Sequence, residues 1–187
     1  MKNANTLSVF VKLAVTAVAV LLAAGCGGKD AATAPKVVKS AADYFPIKVG
    51  GETVRMQLAV EQPGNQRELN RGLMGRRDLA EDQGMIFVYQ HTQRMGFFMR
   101  NTPTPLDIGF FTKDGVLREV RQMFPFDETS VASTRADIHY ALEMNQGWFG
   151  RRGLKADGSV KLDLEALADA LKQRGFRPED YGLAQER

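Results

Sequence analysis

Two apolar runs joined by a proline-rich loop constrain the fold of this chain more than any other feature. Residues 97–99 and 106–111 each predict a buried strand. Between the two runs, Pro103 and Pro105 fix φ and remove two backbone donors, which excludes a helix or a central strand. We therefore expect a stiff loop at the end of a sheet. It would present Asn101, Thr102, Thr104 and Asp107.

The first 25 residues predict an export signal that is not part of the fold. Lys2 and Lys12 supply positive charge, and the apolar run 13–24 is too short for a membrane-spanning helix. The run ends in Leu-Leu-Ala-Ala-Gly-Cys26, which resembles the bacterial lipobox. That resemblance implies cleavage before Cys26 and lipidation of its thiol. The alternative is an ordinary secretory signal with an incidental cysteine.

Cys26 is the only cysteine in the chain, so no internal disulfide can form and stability must come from an apolar core. Acylation would tether the protein lastingly to a membrane. Gly27 follows the cysteine, whereas lipoproteins retained at the inner membrane often carry Asp there. We therefore expect the periplasmic side of the cell envelope, with the outer membrane favoured.

The basic character of the sequence, with a pI near 9.1, does not indicate a nucleic-acid partner. The chain has 25 Lys and Arg against 22 Asp and Glu, and two of those lysines lie in the predicted signal, which has no acidic residue. The mature chain would therefore carry a net charge of only +1, and its compartment also argues against a nucleic acid.

The mature sequence predicts a short tether and one β-rich domain. Residues 26–42 are small and polar after the cysteine and predict a flexible tether. We assign residues 43–175 to the domain, with a C-terminal helix at about 163–174 capped by Asp163, and residues 176–187 to a tail.

Alternating apolar and polar positions predict the strands of that domain. Residues 52–60 alternate, and in 139–145 the apolar face is Tyr140, Leu142 and Met144 while His139, Glu143 and Asn145 share the other. Residues 66–74 predict a second short helix. The fold class is therefore α+β: a largely antiparallel β-sheet curled into a barrel or sandwich, with two short helices.

Several motifs together resemble the bacterial and archaeal family called domain of unknown function 192. They are Arg71-Gly72-Leu73-Met74, Gly84-Met85-Ile86-Phe87-Val88, Phe98-Met99-Arg100-Asn101-Thr102, Pro105-Leu106-Asp107-Ile108 and Tyr140-Ala141-Leu142-Glu143-Met144-Asn145-Gln146-Gly147. The family usually has Trp where Phe98 stands. The resemblance covers about residues 52–162 and implies a compact β-rich fold whose members are often exported or lipid-anchored. The resemblance implies no particular reaction for this chain.

A pair of carboxylates is the first candidate site. If their strands are neighbours, Asp107 and Glu143 could converge with Asn101 and Thr102 in one cleft. Such a set can bind sugar hydroxyls or a hard cation, or do acid–base work. The structural alternative is that Asn101 and Asp107 satisfy loop amides while Glu143 pairs with Arg100.

Three other groups of residues are further candidates for a site. His91, Met95 and Met99 carry ligand types that suit Cu(I), although methionines commonly fill apolar cores. His139 could join Ser130 or Ser133 in a triad, but no nucleophile elbow accompanies them. Trp148 could stack on a sugar or plug the end of the sheet.

The sequence thus predicts an envelope lipoprotein with a binding or accessory domain and favours a role without enzymatic activity. The membrane would be one partner through the lipid anchor, and an envelope glycan or protein the other. Predicted ligand-binding residues are Arg100, Asn101, Thr102, Asp107, Glu143 and Trp148. A hydrolase using Asp107 and Glu143, and copper handling, are the alternatives. Paired cysteines, His-rich zinc spacing and a phosphate loop are all missing from the sequence, so we expect no cofactor.

Overall fold

A computed structural model describes residues 38–183 of the chain. The predicted signal peptide, Cys26 and most of the predicted tether lie outside these residues. Within the described range, no helix is long and apolar enough to cross a membrane.

Six of the eight strands in the described part of the chain form one sheet. The strands are β1 (Phe45–Val49), β2 (Glu52–Val60), β3 (Gln83–Gln93), β4 (Gly96–Phe97), β5 (Leu106–Thr112), β6 (Leu117–Met123), β7 (Val131–Ala132) and β8 (Ile138–Asn145). The spatial order of the main sheet is β1-β2-β3-β8-β5-β6, and β4 pairs with β7 separately. Only β2 and β3 run parallel, whereas the other pairs are antiparallel. The predicted fold class, α+β with a largely antiparallel sheet, is confirmed.

Within residues 38–183, three short α-helices and not two accompany the sheet. They are α1 (Arg67–Arg71), α2 (Trp148–Arg151) and α3 (Leu164–Gln173), and a 3₁₀ helix follows at Pro178–Tyr181. The predicted helix 66–74 is cut short because Gly72 takes a positive φ of 46° directly after α1. The predicted cap of α3 is present: Asp163 Oδ1 accepts a hydrogen bond from Ala166 N at 3.0 Å.

The sheet is curled, but it does not close into a barrel by direct pairing of β1 with β6. A short segment, residues 160–162, instead contacts both ends of the sheet. Leu162 bridges Val49 at the end of β1, and Lys161 bridges Val116 just before β6. This segment therefore joins the two edges of the sheet.

Apolar layers cover both faces of the sheet, because alternate residues of β3, β5 and β8 contribute to each. The first layer contains Ile86, Val88, Tyr140, Leu142 and Met144, together with α3 and Trp148. The second layer contains Phe87, Phe97, Ile108, Phe110 and Ala141, with Leu69 and Leu73 packed from the α1 side. The strands at the centre of the sheet are therefore buried on both faces.

The domain is longer at both ends than predicted. Lys39 N donates a hydrogen bond to Gln173 O, and Gln57 Nε2 donates one to Ala42 O, so residues 39–42 pack on the domain. At the other end, Tyr181 and Leu183 are buried in the first layer. Residues 176–183 therefore belong to the packed domain and are not a tail, because their apolar side chains find partners.

Replacing Gly84 with Ala should destabilise the protein strongly. Gly84 lies in β3, where an added methyl group would overlap the carbonyl oxygen of Glu143 and the sulfur of Met144. Since overpacking of this kind typically costs 1–3 kcal/mol, we expect the free energy of unfolding in urea to fall by at least about 2 kcal/mol.

Gly150→Ala is the matched control, because Gly150 is exposed in α2 and no atom lies within 4 Å of its added methyl group. We expect a change within about 0.5 kcal/mol or a slight gain in stability. Equal losses for the two variants would contradict the close packing of β3 against β8.

Candidate functional site

The two predicted carboxylates lie on opposite faces of the sheet. In the antiparallel pairing of β5 with β8, Asp107 stands opposite Met144, and Ile108 stands opposite Glu143. Residues opposite each other share a face, and successive residues alternate between faces. Asp107 and Glu143 are therefore separated by the sheet, and the predicted convergence of both in one cleft is wrong.

Asp107 has a structural role at the turn after β8. Its Oδ2 accepts a hydrogen bond from Gly147 N at 2.9 Å, at the turn between β8 and α2. Burial raises the pKa of the Asp107 carboxyl, while the Gly147 N–H and the charge of Arg151 act in the opposite direction. The side chain therefore fixes the chain direction after β8, which is the structural alternative considered for it.

Glu143 lies on the second-layer face and lines a cavity of about 120 Å³. Its side chain is buried, and its Oε2 has no hydrogen-bond partner among residues 38–183. Burial raises the pKa of the Glu143 carboxyl from 4.5 to about 8. The group is therefore mainly protonated at neutral pH, when an ordinary glutamate is charged.

The cavity around Glu143 has both polar and apolar walls, and more of its lining surface is polar. Its walls include Leu69, Leu73, Met74, Phe87, Tyr89 and Phe97. The rings of Phe87 and Phe97 pack edge to face, with their centroids 4.9 Å apart. Gln66 and Asn70, both exposed, and the 39%-exposed Phe98 also line it, so the cavity is reached from solvent on their side.

The backbone at Gly72 forms part of this wall. A Cβ atom added at Gly72 would lie 3.4 Å from the Phe87 ring and 3.9 Å from Glu143 Oε2. The turn after α1 therefore approaches the carboxyl closely, and its positive φ favours glycine.

The proline-rich loop contributes one residue to the cavity. Thr102 is buried and lines it, with its hydroxyl donating to Arg100 O at 3.1 Å. Asn101 and Arg100 are exposed: the Asn101 carbonyl accepts from Gly75 N, and Arg100 forms an ion pair with Glu128. Of the predicted ligand-binding residues, the structure thus brings Thr102 and Glu143 together.

Trp148 packs in the core at the end of the sheet and does not line the Glu143 cavity. It is fully buried in the first layer, with its ring centroid 5.0 Å from that of Phe149. It therefore takes the second of the two roles considered for it, and its predicted place beside Glu143 is wrong.

The three residues considered as copper ligands do not form a cluster. His91 is exposed at the end of β3, whereas Met95 and Met99 are buried in the second layer, as core packing predicts. Within residues 38–183, no group of three or more His, Cys, Asp or Glu is placed to hold a metal ion.

His139 does not share the face of Glu143, because the pairing of β8 shifts its register there. Its Nε2–H donates to Tyr181 O at 2.8 Å, and burial lowers the pKa of the imidazole. Ser133 is also buried and donates to Arg135 O. These contacts leave the predicted triad unassembled.

Sequence reasoning missed the aromatic wall of the cavity, formed by Phe87, Tyr89 and Phe97. The apolar pattern predicted that these residues lie in strands, but not that they surround Glu143. The one available signal was Gly72 in the Arg71–Met74 motif, which indicates a close backbone approach of the kind now seen beside the carboxyl.

The sequence model of one family, described as "Uncharacterized ACR", matches residues 46–162. The chain belongs to the domain of unknown function 192 family. This confirms the resemblance seen in its motifs. The matched range contains Thr102, Glu143 and the aromatic wall, so the cavity lies within the family domain.

Two solved structures are similar to this domain. One is a candidate transcription regulator from Sinorhizobium meliloti 1021, with 30% identity, coverage of 64% of this chain and 92% of the other, and a TM-score of 0.56. The second is a protein of unknown function from Novosphingobium aromaticivorans DSM 12444, with 31% identity, coverage of 73% and 99%, and a TM-score of 0.58. No curated protein matches the sequence.

The raised pKa of Glu143 predicts a distinct pH dependence of stability. Between pH 4.5 and about 8 the unfolded chain loses this proton and the folded chain keeps it, so stability falls as pH rises. Glu143→Gln should remove this slope. The difference in unfolding free energy between wild type and variant should then change by up to about 1.4 kcal/mol per pH unit in that range.

Urea unfolding of both proteins at pH 5, 6, 7 and 8 measures this difference. Asp107→Asn is the control, because it removes a carboxyl on the other face and leaves Glu143 in place. A wild-type-minus-Glu143→Gln difference that stays constant with pH would contradict the burial of a protonated Glu143.

Proposed function

We propose that this protein is a lipid-anchored binding protein of the bacterial cell envelope and that the Glu143 cavity is its ligand site. The observation that carries the binding part is the buried Glu143 carboxyl, whose Oε2 has no hydrogen-bond partner within residues 38–183 and which lines a cavity. Leaving such a group unpaired costs about 1–3 kcal/mol or more. A ligand that bonds to it would offset this cost.

The size of the cavity limits what enters it. Pockets for drug-sized ligands measure roughly 300–1,000 Å³, whereas this one measures about 120 Å³. It fits one functional group with a few carbon atoms. An envelope glycan or protein would therefore be recognised through a protruding group, with the rest of the molecule outside.

The positions of Asp107 and Glu143 do not support the hydrolase alternative. A two-carboxylate mechanism needs both groups at the same bond, within about 5–10 Å of each other and on one side. Asp107 and Glu143 are on opposite faces of the sheet, and Asp107 is engaged by Gly147. The geometry therefore favours a binding role for Glu143 over a mechanism that needs both carboxyls.

The proposed location rests on the signal sequence. The run ending in Cys26 predicts acylation and attachment to the periplasmic side of the envelope, with the outer membrane favoured. Export would separate the domain from DNA. A periplasmic location therefore does not suit the regulation of transcription.

Replacing Cys26 with Ser should abolish lipid labelling. The thiol is the atom that would be acylated, and its loss removes the chains that hold the protein at the membrane. Growth with radiolabelled palmitate, followed by membrane fractionation, measures both effects. Persistent labelling of the Cys26→Ser protein would refute the lipobox assignment.

Leu69→Trp should block ligand entry into the cavity. Leu69 lines the cavity from α1, and the larger indole would occupy part of its volume. We expect small fragments carrying ammonium, hydroxyl, amide or carboxyl groups to shift the NMR signals of cavity residues in the wild type. The shifts for the same fragments should be at least about tenfold weaker in Leu69→Trp, since the binding volume is filled.

Glu165→Trp is the control, because Glu165 is an exposed position on α3. It adds an indole without filling the cavity and should leave fragment binding unchanged. If no fragment shifts cavity residues in the wild type, or if the two variants behave alike, the cavity is not the ligand site.

A further inference from the structure

The charge balance around Glu143 indicates what kind of ligand would complete the site. Burial is the sole cause of its raised pKa, so no cation of the described chain holds the carboxyl in its charged form. Arg71, on α1, also lines the cavity, but its side chain is exposed. Tyr89, on β3, is the other titratable group that lines it, and burial raises its pKa to about 12, so it stays neutral.

The walls of the cavity add a second feature. Phe87, Phe97 and Tyr89 line the same space as the carboxyl. Aromatic faces attract ammonium and guanidinium groups, with about 2 kcal/mol or more available when the pair is desolvated. A carboxyl among aromatic rings is thus suited to a positively charged organic group.

The small volume fits this class of ligand as well. An ammonium group with a short alkyl chain would place its charge at Glu143 and its methylenes against Leu69 and Leu73, which line the same cavity. The exposed amides of Gln66 and Asn70 lie on the solvent side, where a longer molecule would continue.

We propose that the Glu143 cavity binds an organic cation, a primary ammonium group on an alkyl chain, as its ligand. This inference rests on the proposed function. The carboxyl gives up its proton when the cation enters: the neutral acid and the alkylammonium form a carboxylate–ammonium pair, and one proton leaves to solvent. In this pair the ligand supplies the opposite charge that the described chain does not place beside Glu143, and this attraction must exceed the cost of removing both charges from water.

Proton release gives the binding a characteristic pH dependence. With a pKa of about 8 for Glu143, affinity should rise about tenfold from pH 6 to pH 7 and level off above pH 8. A neutral ligand that accepts a hydrogen bond from the protonated acid would show the reverse, with constant affinity below pH 7 and weaker binding above pH 8.

Titrations with n-butylammonium chloride, with butan-1-ol as its uncharged counterpart, test the inference. NMR shifts of cavity residues at pH 6, 7 and 8 give the affinities, and calorimetry in two buffers of different ionisation enthalpy gives the protons released. We expect butylammonium to bind at least about tenfold more tightly than butan-1-ol at pH 8, with release of about half a proton or more at pH 7.

Two variants localise the effect. Glu143→Gln should lose the preference for butylammonium and the proton release, whereas Asp107→Asn should keep both, because Asp107 lies on the opposite face. The wild-type pH series remains decisive even if a variant fails to fold.

The outcomes separate the two proposals. Tighter binding of butan-1-ol than of butylammonium, or affinity for the cation that does not rise with pH, would overturn the cation inference and leave the cavity as a binding site. Absence of cavity shifts with both compounds and with the whole fragment set would overturn the proposed function itself.

Discussion

The position of β8 at the centre of the sheet determines the environment of the candidate site. β8 pairs with β3 on one side and β5 on the other, and apolar layers cover both of its faces. Each side chain from Ile138 to Met144 is therefore buried, whatever its polarity. The alternation in β8 does not separate a core face from a solvent face. Glu143 is consequently enclosed, and its raised pKa follows from strand order rather than from any neighbouring charge.

The local pattern of apolar and polar residues predicted the strands and helices, but it did not predict how they are arranged. β5 at Leu106–Thr112 and α3 after its Asp163 cap follow from residues adjacent in the sequence. The faces of Asp107 and Glu143 depend on the register of β5 with β8, which a single sequence does not specify. The side-chain direction of His139 depends on a local shift in that register. The cavity wall depends further on α1, which lies between the parallel strands β2 and β3 along the chain.

The ends of the domain help to hold that wall in place. Arg174, just after α3, is buried and donates both to Leu58 O at 2.8 Å and to Glu68 Oε1 at 2.7 Å. Glu68 belongs to α1, and its other oxygen accepts from Val60 N. Because breaking a buried pair leaves an uncompensated charge, this contact resists displacement of α1. The C-terminal helix thus positions the turn at Gly72 beside Glu143, although α3 is absent from the cavity lining.

A comparison of the two buried carboxyls explains why only one is a candidate for binding. Burial raises the pKa of both groups, but the Asp107 carboxyl has compensation from the Gly147 N–H and from Arg151. That compensation ties Asp107 to the turn after β8, although its other oxygen, Oδ1, has no hydrogen-bond partner among residues 38–183. Asp107 does not line the Glu143 cavity. Glu143 lacks such an offset among residues 38–183, and its carboxyl faces a cavity lined by aromatic rings. A fold that required only packing at this position would be more stable with an apolar side chain there. The acid at residue 143 is therefore better explained by an interaction with a ligand than by the stability of the domain.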